Sequence, residues 1–309
     1  MVAIFKNLLF ISLIAFAVSC GEDKQNKEVY SDPFQLKMTY AQCELNCPVK
    51  SLKLKEYDAS AKFGEAFAED LKRVMHMEFN IKGQCESIKN YDRWGDISEV
   101  GIIKYDSNDN IISIETYSSD GDLIRKIIEE YDPNGRIMGQ SIYDSDGNRI
   151  SSTEIEHENG KILKEKQFVR DDCEAEKLYE YDGCALRKVL TYHKGELQYV
   201  KVYEKCDYTG DVEYIKYDGD GNVIEELQTK YDANRVRVYE KGVHIDETER
   251  IEYEYRTNSY GFVEYVNNGR FEEFYEYEYD NKGNWIKQIC YEGAIKKPVR
   301  IVEREIVYW

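Results

Sequence analysis

Ile251-Glu252-Tyr253-Glu254-Tyr255 and Tyr275-Glu276-Tyr277-Glu278-Tyr279 alternate large and charged residues with a period of two. That period, carried elsewhere by Ile, Val and Thr, predicts strands. Tyr105, Tyr117, Tyr131 and Tyr143 follow one another at intervals of 12, 14 and 12 residues, each one strand plus one turn. At roughly 13 residues per unit, Val49 to Trp309 holds on the order of 20 strands. The connections are short, so neighbours are antiparallel and the topology is a meander. Phe67, Leu71, Val74 and Met75 would share one face of a helix. The repeat resumes immediately at Phe79, however, so Leu71 to Phe79 is read as a strand. Twenty strands at about 4.8 Å spacing would make a flat sheet about 96 Å wide. Open twisted sheets rarely exceed about ten strands. The expected fold is therefore all-β: a long antiparallel meander of hairpin repeats forming a coiled or curled sheet, its Tyr/Ile/Leu face inward and its Glu/Lys face outward.

The turns repeat one unit: Tyr or Phe, then Asp or Asn, two free residues, then Gly. It occurs at Phe79–Gly83, Tyr91–Gly95, Tyr131–Gly135, Tyr143–Gly147, Tyr217–Gly221 and Tyr279–Gly283. Degenerate copies begin at Tyr105, Tyr181 and Tyr231, where Asp109, Ala185 and Arg235 take the Gly position. The Asp side chain bonds the backbone two residues on. Pro133 suits the second position of a type I turn. Gly then takes the left-handed conformation of a G1 bulge. Gly83, Gly95, Gly135, Gly147, Gly221 and Gly283 are thus structural turn glycines.

Net charge changes the picture of partners. Lys+Arg 42 against Asp+Glu 60 gives −18, which repels nucleic acid. The aromatic content of 13% argues against disorder. Lys6 followed by the apolar run Leu8 to Val18 reads as a signal peptide, too short for a membrane helix. Ala17-Val18-Ser19-Cys20 resembles the lipobox of bacterial lipoproteins, which implies acylation at Cys20 and a membrane partner through that anchor. Glu22-Asp23 resembles an acidic surface-export signal. The organisation expected is a signal peptide over 1–19, a polar tether over 20–33 and a β domain over 34–309. The location expected is the outer membrane, on its periplasmic or cell-surface side.

The repeat units resemble the tyrosine-aspartate (YD, or RHS-type) repeat family over Val49 to Trp309. The likeness is most specific where Tyr279-Asp280-Asn281-Lys282-Gly283-Asn284-Trp285 precedes Glu303-Arg304-Glu305-Ile306 and Tyr308. That pairing looks like the closing module, 271–309, of small outer-membrane lipoproteins of the family. The resemblance implies a β fold and export, and it implies no activity.

Candidate chemistry is sparse. Cys43 and Cys47 have metal-like spacing without a second pair, so a local disulfide or plain thiols fit better than zinc. Cys184 and Cys206 could face each other across neighbouring strands, and the sequence leaves their connectivity open. The Asp144 and Asp218 turns resemble calcium loops, but their glycines fall at position four rather than six. No nucleophile or acid/base motif is recognisable among four scattered histidines, so no catalytic residue, metal or cofactor is expected. Arg304 shares a strand face with Val302, Ile306 and Tyr308, as inward charges that guard a sheet edge do. The function expected is a non-catalytic, lipid-anchored β-repeat protein with a structural or protein-interaction role, its partner an envelope protein. The alternative is a carbohydrate-binding surface lipoprotein with Tyr253, Tyr255, Tyr275, Tyr277 and Tyr279 as a glycan-stacking strip. A hydrolase is a third reading.

Overall fold

The computed structural model describes residues 45, 47–183, 185–206, 212–231, 237–245, 250–260, 262–267 and 272–309. Twenty strands follow one another. They are β1 (Val49–Lys62), β2 (Glu65–Phe79), β3 (Cys85–Tyr91), β4 (Ile97–Tyr105), β5 (Ile111–Ser118), β6 (Leu123–Tyr131) and β7 (Ile137–Asp144). Then come β8 (Arg149–Glu158), β9 (Lys161–Val169), β10 (Asp172–Asp182), β11 (Ala185–His193), β12 (Glu196–Cys206), β13 (Val212–Asp218) and β14 (Val223–Tyr231). The last six are β15 (Arg237–Ile245), β16 (Arg250–Thr257), β17 (Val263–Asn267), β18 (Glu272–Tyr279), β19 (Trp285–Glu292) and β20 (Lys297–Tyr308). Leu71 to Phe79 lies within β2, so the strand reading of that segment holds.

Every strand pairs antiparallel with the next, and β20 pairs with β1 from Val49↔Tyr308 to Asp58↔Arg300. The meander therefore closes into a twenty-stranded antiparallel barrel with no free edge. This corrects the expectation for Arg304. β20 lies between β19 and β1 rather than at an edge, and the buried Arg304 guanidinium stacks 3.3 Å from the Trp285 ring centroid. That is a cation–π contact.

Cross-strand register sorts the side chains into two faces. One continuous row joins Ile103, Ile114, Ile127 and Ile142 on β4 to β7. All four are buried and belong to one apolar cluster with Leu52, Met77 and Ile88 of the first strands. This is the inner face. The opposite face carries Lys104, Glu115, Lys126, Lys166 and Glu154, the charged face that the alternation predicts.

The turns follow the local chemistry of the repeat. At Asp132 the backbone N–H donates to Arg136 O over 2.9 Å, and Gly135 N–H donates to Asp132 O over 2.9 Å. Asp132 Oδ1 accepts from the backbone N–H of Asn134 and Arg136, 2.8 and 2.9 Å away. Gly135 sits at φ 77° and Gly147 at φ 81°, and Gly83, Gly95, Gly221 and Gly283 are also left-handed. Each repeat Tyr adjoins a register shift, as between Glu130 and Tyr131 or Lys104 and Tyr105. This is the bulge that reconciles a three-residue turn with the strand pair. Asp109 holds the glycine place at φ 68°.

Candidate functional site

The inner face changes character around the barrel. On β4 to β7 one row of it is isoleucine, beside the Thr116↔Arg125 and Glu129↔Gln140 pairs. On β9, β10 and β12 to β14 it carries Glu165, Lys177, Tyr179, Tyr199, Lys201, Tyr203, Tyr214, Lys216 and Glu225, with direct partners Glu165↔Lys177, Lys201↔Lys216, Tyr203↔Tyr214 and Lys216↔Glu225. The buried Val189 and Thr191 of β11 lie between Tyr179 and Lys201 and between Lys177 and Tyr199. Glu165, 2% exposed, accepts from Lys177 Nζ at 2.9 Å, Tyr179 Oη at 3.1 Å and Gln167 Nε2 at 3.1 Å. Burial and the neighbouring carboxylate push the Tyr179 phenol upward. Tyr214 Oη donates to Glu225 Oε1 at 2.5 Å and receives Lys201 Nζ at 3.3 Å. Lys201 Nζ also lies 4.3 Å from the Tyr214 ring centroid, and Lys216 Nζ 4.0 Å from that of Tyr199. Burial pushes the Lys201 ammonium down, Glu225 opposes this, and Lys216 and Lys177 add to it. Here is a polar, partly solvated patch of three ammonium groups and two carboxylates, walled by tyrosine.

Sequence reasoning missed this patch. Alternation alone would send Val200 and Val202 inward and Lys201 outward. The register does the reverse, and Val202 is 36% exposed. The signal available was the Tyr199-Val200-Lys201-Val202-Tyr203 pattern itself, in which two tyrosines and two valines compete for the core.

The expected glycan-stacking tyrosines divide. Tyr275 and Tyr277 pair with Cys290 and Gln288 on the inner face. Tyr275 donates to Glu273, Tyr277 donates to Val263 O at 2.7 Å, and Tyr279 accepts from Asn258 Nδ2 at 3.3 Å. The rings of Tyr277 and Tyr279 pack 5.6 and 6.0 Å from Phe262. These three half-buried tyrosines form a bonded ladder and offer no outward strip. Tyr253 and Tyr255 pair with Gly242 and Glu240 through their backbones, and their side chains lie outside the described residues. Cys20, the tether, Cys43 and Cys184 lie outside them as well, as does the Cys206 side chain. Cys47 is a free thiol, and the Cys43 half of that disulfide expectation lies outside the described residues.

The Asp turns spend their carboxylates locally. Asp144 Oδ1 accepts from the N–H of Asp146 and Asn148, and Oδ2 from Asn148 Nδ2 at 3.2 Å. Asp218 is bonded in the same way to Asp220 and Asn222. These hydrogen bonds hold both carboxyls below their usual range. The turn reading thus accounts for both oxygens of each Asp.

Two of the repeat tyrosines have a second task. Tyr105 Oη donates to Cys85 O at 2.8 Å, and Tyr181 Oη to Ile162 O at 3.0 Å. His157, in the same place at the end of β8, donates from Nε2 to Ile137 O at 2.8 Å. Each aromatic reaches the start of the preceding strand, at the foot of the turn one hairpin back, on the same rim. Tyr308 closes the series by donating to Asp280 and accepting from Asn284 Nδ2 at 2.8 Å. Burial, and after it the bond to Asp280, raises its phenol to about 12, with Asn284 opposing.

No protein-family model matches the chain, and no curated protein matches it. Several solved structures do. A porin-like protein from Bacteroides uniformis ATCC 8492 is 10% identical over 84% of this chain and 97% of its own, with a TM-score of 0.35. TcdB2-TccC3-TEV is 13% identical over 71% of this chain and 15% of its own, with a TM-score of 0.22. A protein of unknown function from Bacteroides fragilis NCTC 9343 is 10% identical over 53% of this chain and 95% of its own, with a TM-score of 0.19. Scores this low carry no argument for this chain, whose closure rests on its own strand pairings.

Proposed function

We propose that this chain is a non-catalytic, lipid-anchored YD-type repeat protein of the bacterial outer membrane, acting as a closed scaffold toward an envelope partner. The observation that carries the reading is the use made of the repeat. Asp and Gly of the unit are consumed in turn caps and bulges, and Tyr105 and Tyr181 in hairpin-to-hairpin latches, so the recurring chemistry serves construction. The signal peptide and the Cys20 lipobox supply the address. The charged outer rows favour water and a basic or cation-bridged partner, and they differ from the apolar band of a membrane-spanning barrel. The test follows a labelled fatty acid into the protein, wild type beside Cys20→Ala, with membrane fractionation. Label in the wild type and release of the variant support the reading, and an unlabelled wild type overturns the anchor. A polysaccharide hydrolysis screen on the purified chain is expected to show no turnover, and cleavage would overturn the non-catalytic role.

A further inference from the structure

We propose that the inner face of β10 to β13 binds a small ligand bearing a carboxylate or phosphate group, held by Lys177, Lys201 and Lys216 between the rings of Tyr179, Tyr199, Tyr203 and Tyr214. Four observations lead there, none of which depends on the lipid anchor.

First, the strand pattern is inverted at this place. β12 turns Lys201 inward and leaves Val202 on the outer face. A one-residue change of register would bury the valines instead. On β4 to β7 one row of the inner face is Ile103, Ile114, Ile127 and Ile142, so the barrel has an apolar solution for such a row that Lys201 and Lys216 do not use.

Second, Lys201 and Lys216 are direct cross-strand partners. Like charges directly opposite destabilise a sheet. Glu225 lies next to Lys216 in the row, 3.8 Å from its ammonium, and Glu165 is engaged with Lys177 at 2.9 Å. Three ammonium groups against two carboxylates leave one positive charge over, in a chain of net charge −18.

Third, the group left over is Lys201. Its nearest partners are a phenol oxygen at 3.3 Å and the face of the same ring at 4.3 Å. Among the described residues no carboxylate lies within ion-pair distance of it. A buried charge is costly unless paired, and burial together with the two other lysines already disfavours its charged form. A bound oxyanion would reverse that balance by supplying the missing counter-charge, shared among three donors.

Fourth, solvent reaches the patch. The Lys177 and Lys216 side chains are 16% and 19% exposed. Water thus touches two of the three ammonium-bearing side chains, and the tyrosine rings provide apolar walls and hydroxyls for the body of an anion.

The test uses the purified mature chain, with inorganic pyrophosphate and citrate as probes and glucose as the neutral control, all at fixed ionic strength. Thermal midpoint and titration calorimetry are the readouts. The expected result is saturable stabilisation by at least one anion and none by glucose; which anion acts separates phosphate from carboxylate chemistry. Lys201→Met is expected to melt no lower than the wild type without probe, because the unpaired charge is gone, and to bind the anion at least tenfold more weakly. Lys104→Met, on the outer face, is expected to keep the full response. Failure of both anions to stabilise the wild type overturns the proposal. So does a Lys201→Met protein that melts lower yet responds normally, which would make the ammonium a purely structural partner of Tyr214. If Lys201→Met does not fold, Lys216→Met decides: a folded variant without the response supports the site, and one with the full response overturns it.

Discussion

The hydroxyl of Tyr105 donates to the main-chain carbonyl of Cys85 across 2.8 Å, bridging residues 20 apart in sequence and one hairpin apart in space. The contact is part-buried, and burial raises the phenol well above its usual range. Tyr105→Phe keeps the ring and removes the hydroxyl that donates to the Cys85 carbonyl. The expected loss is about 1–2 kcal/mol, read from urea unfolding. Tyr117→Phe, which cuts only an outer bond to Glu115, is expected to cost less. Equal losses would mean that the inner latch contributes nothing special.

The turn glycines and Asp109 give a paired test. Gly135→Val forces a β-branched residue to φ 77°, and a loss of about 1 kcal/mol or more is expected. Asp109→Gly relieves a non-glycine residue at φ 68°. It gives up an ion pair with Lys82 at 2.7 Å whose partners are both well exposed, a contact of small value. Asp109→Gly is therefore expected to raise the urea midpoint, and a lowered midpoint would show that the ion pair outweighs the strain.

Acid sensitivity should centre on Glu115. Lys104 at 2.8 Å, the Tyr117 hydroxyl at 2.9 Å and Lys126 at 3.2 Å surround its carboxylate. They hold its pKa down to about 2, with the Lys104 hydrogen bond the largest cause. The folded value lies below the unfolded one near 4.3, so this contribution is present above about pH 4.3 and is lost as pH falls toward 2. Glu115→Gln is expected to flatten that part of the stability–pH curve. An unchanged acid limb would place the sensitivity elsewhere.

Thiol labelling in the native state should discriminate position. Cys173 is exposed, whereas Cys85 and Cys290 are buried. Burial pushes the Cys290 thiol up to about 11, so little reactive thiolate is present at neutral pH. Iodoacetamide followed by mass spectrometry is expected to mark Cys173 first, and Cys85 and Cys290 only with unfolding. Prompt labelling of Cys290 would contradict its placement on the inner face.

Removal of 297–309 should open the ring. β20 supplies pairing to both β19 and β1, so its loss exposes two long edges. Exposed edges invite association. The truncated chain is expected to elute as aggregate where the full β domain elutes as a discrete species, and a monodisperse truncation would show that closure is dispensable.

What was legible in the sequence was local. Asp132 to Gly135 announces its turn because each residue acts within five positions. The copies at Ser118 to Gly121 and from Asn258 escaped notice because Ser replaces the cap in one and Thr257 replaces the aromatic in the other. Ser118 Oγ nevertheless accepts from Asp122 N–H at 3.2 Å, and Asn258 Oδ1 from Tyr260 and Phe262 N–H. Closure was illegible because Leu52 and Ile306 meet across 254 positions through backbone bonds that any residue can make. The Tyr latch was hidden for a similar reason, since its acceptor is a carbonyl. Lys201 was hidden because a strand does not declare which face is wet when tyrosine, lysine and valine share it.

An even number of strands also has a mechanical consequence. Val49 and Tyr308 sit opposite each other at one rim, and Trp309 N–H reaches Pro48 O at 3.4 Å. A force that draws these two ends apart acts across the seam rather than along it. It loads the β1–β20 hydrogen bonds one after another, as in peeling tape, instead of all together in shear. The barrel should therefore resist heat or denaturant as a closed body, yet yield to low tension applied between Pro48 and Trp309, with the first rupture at that rim.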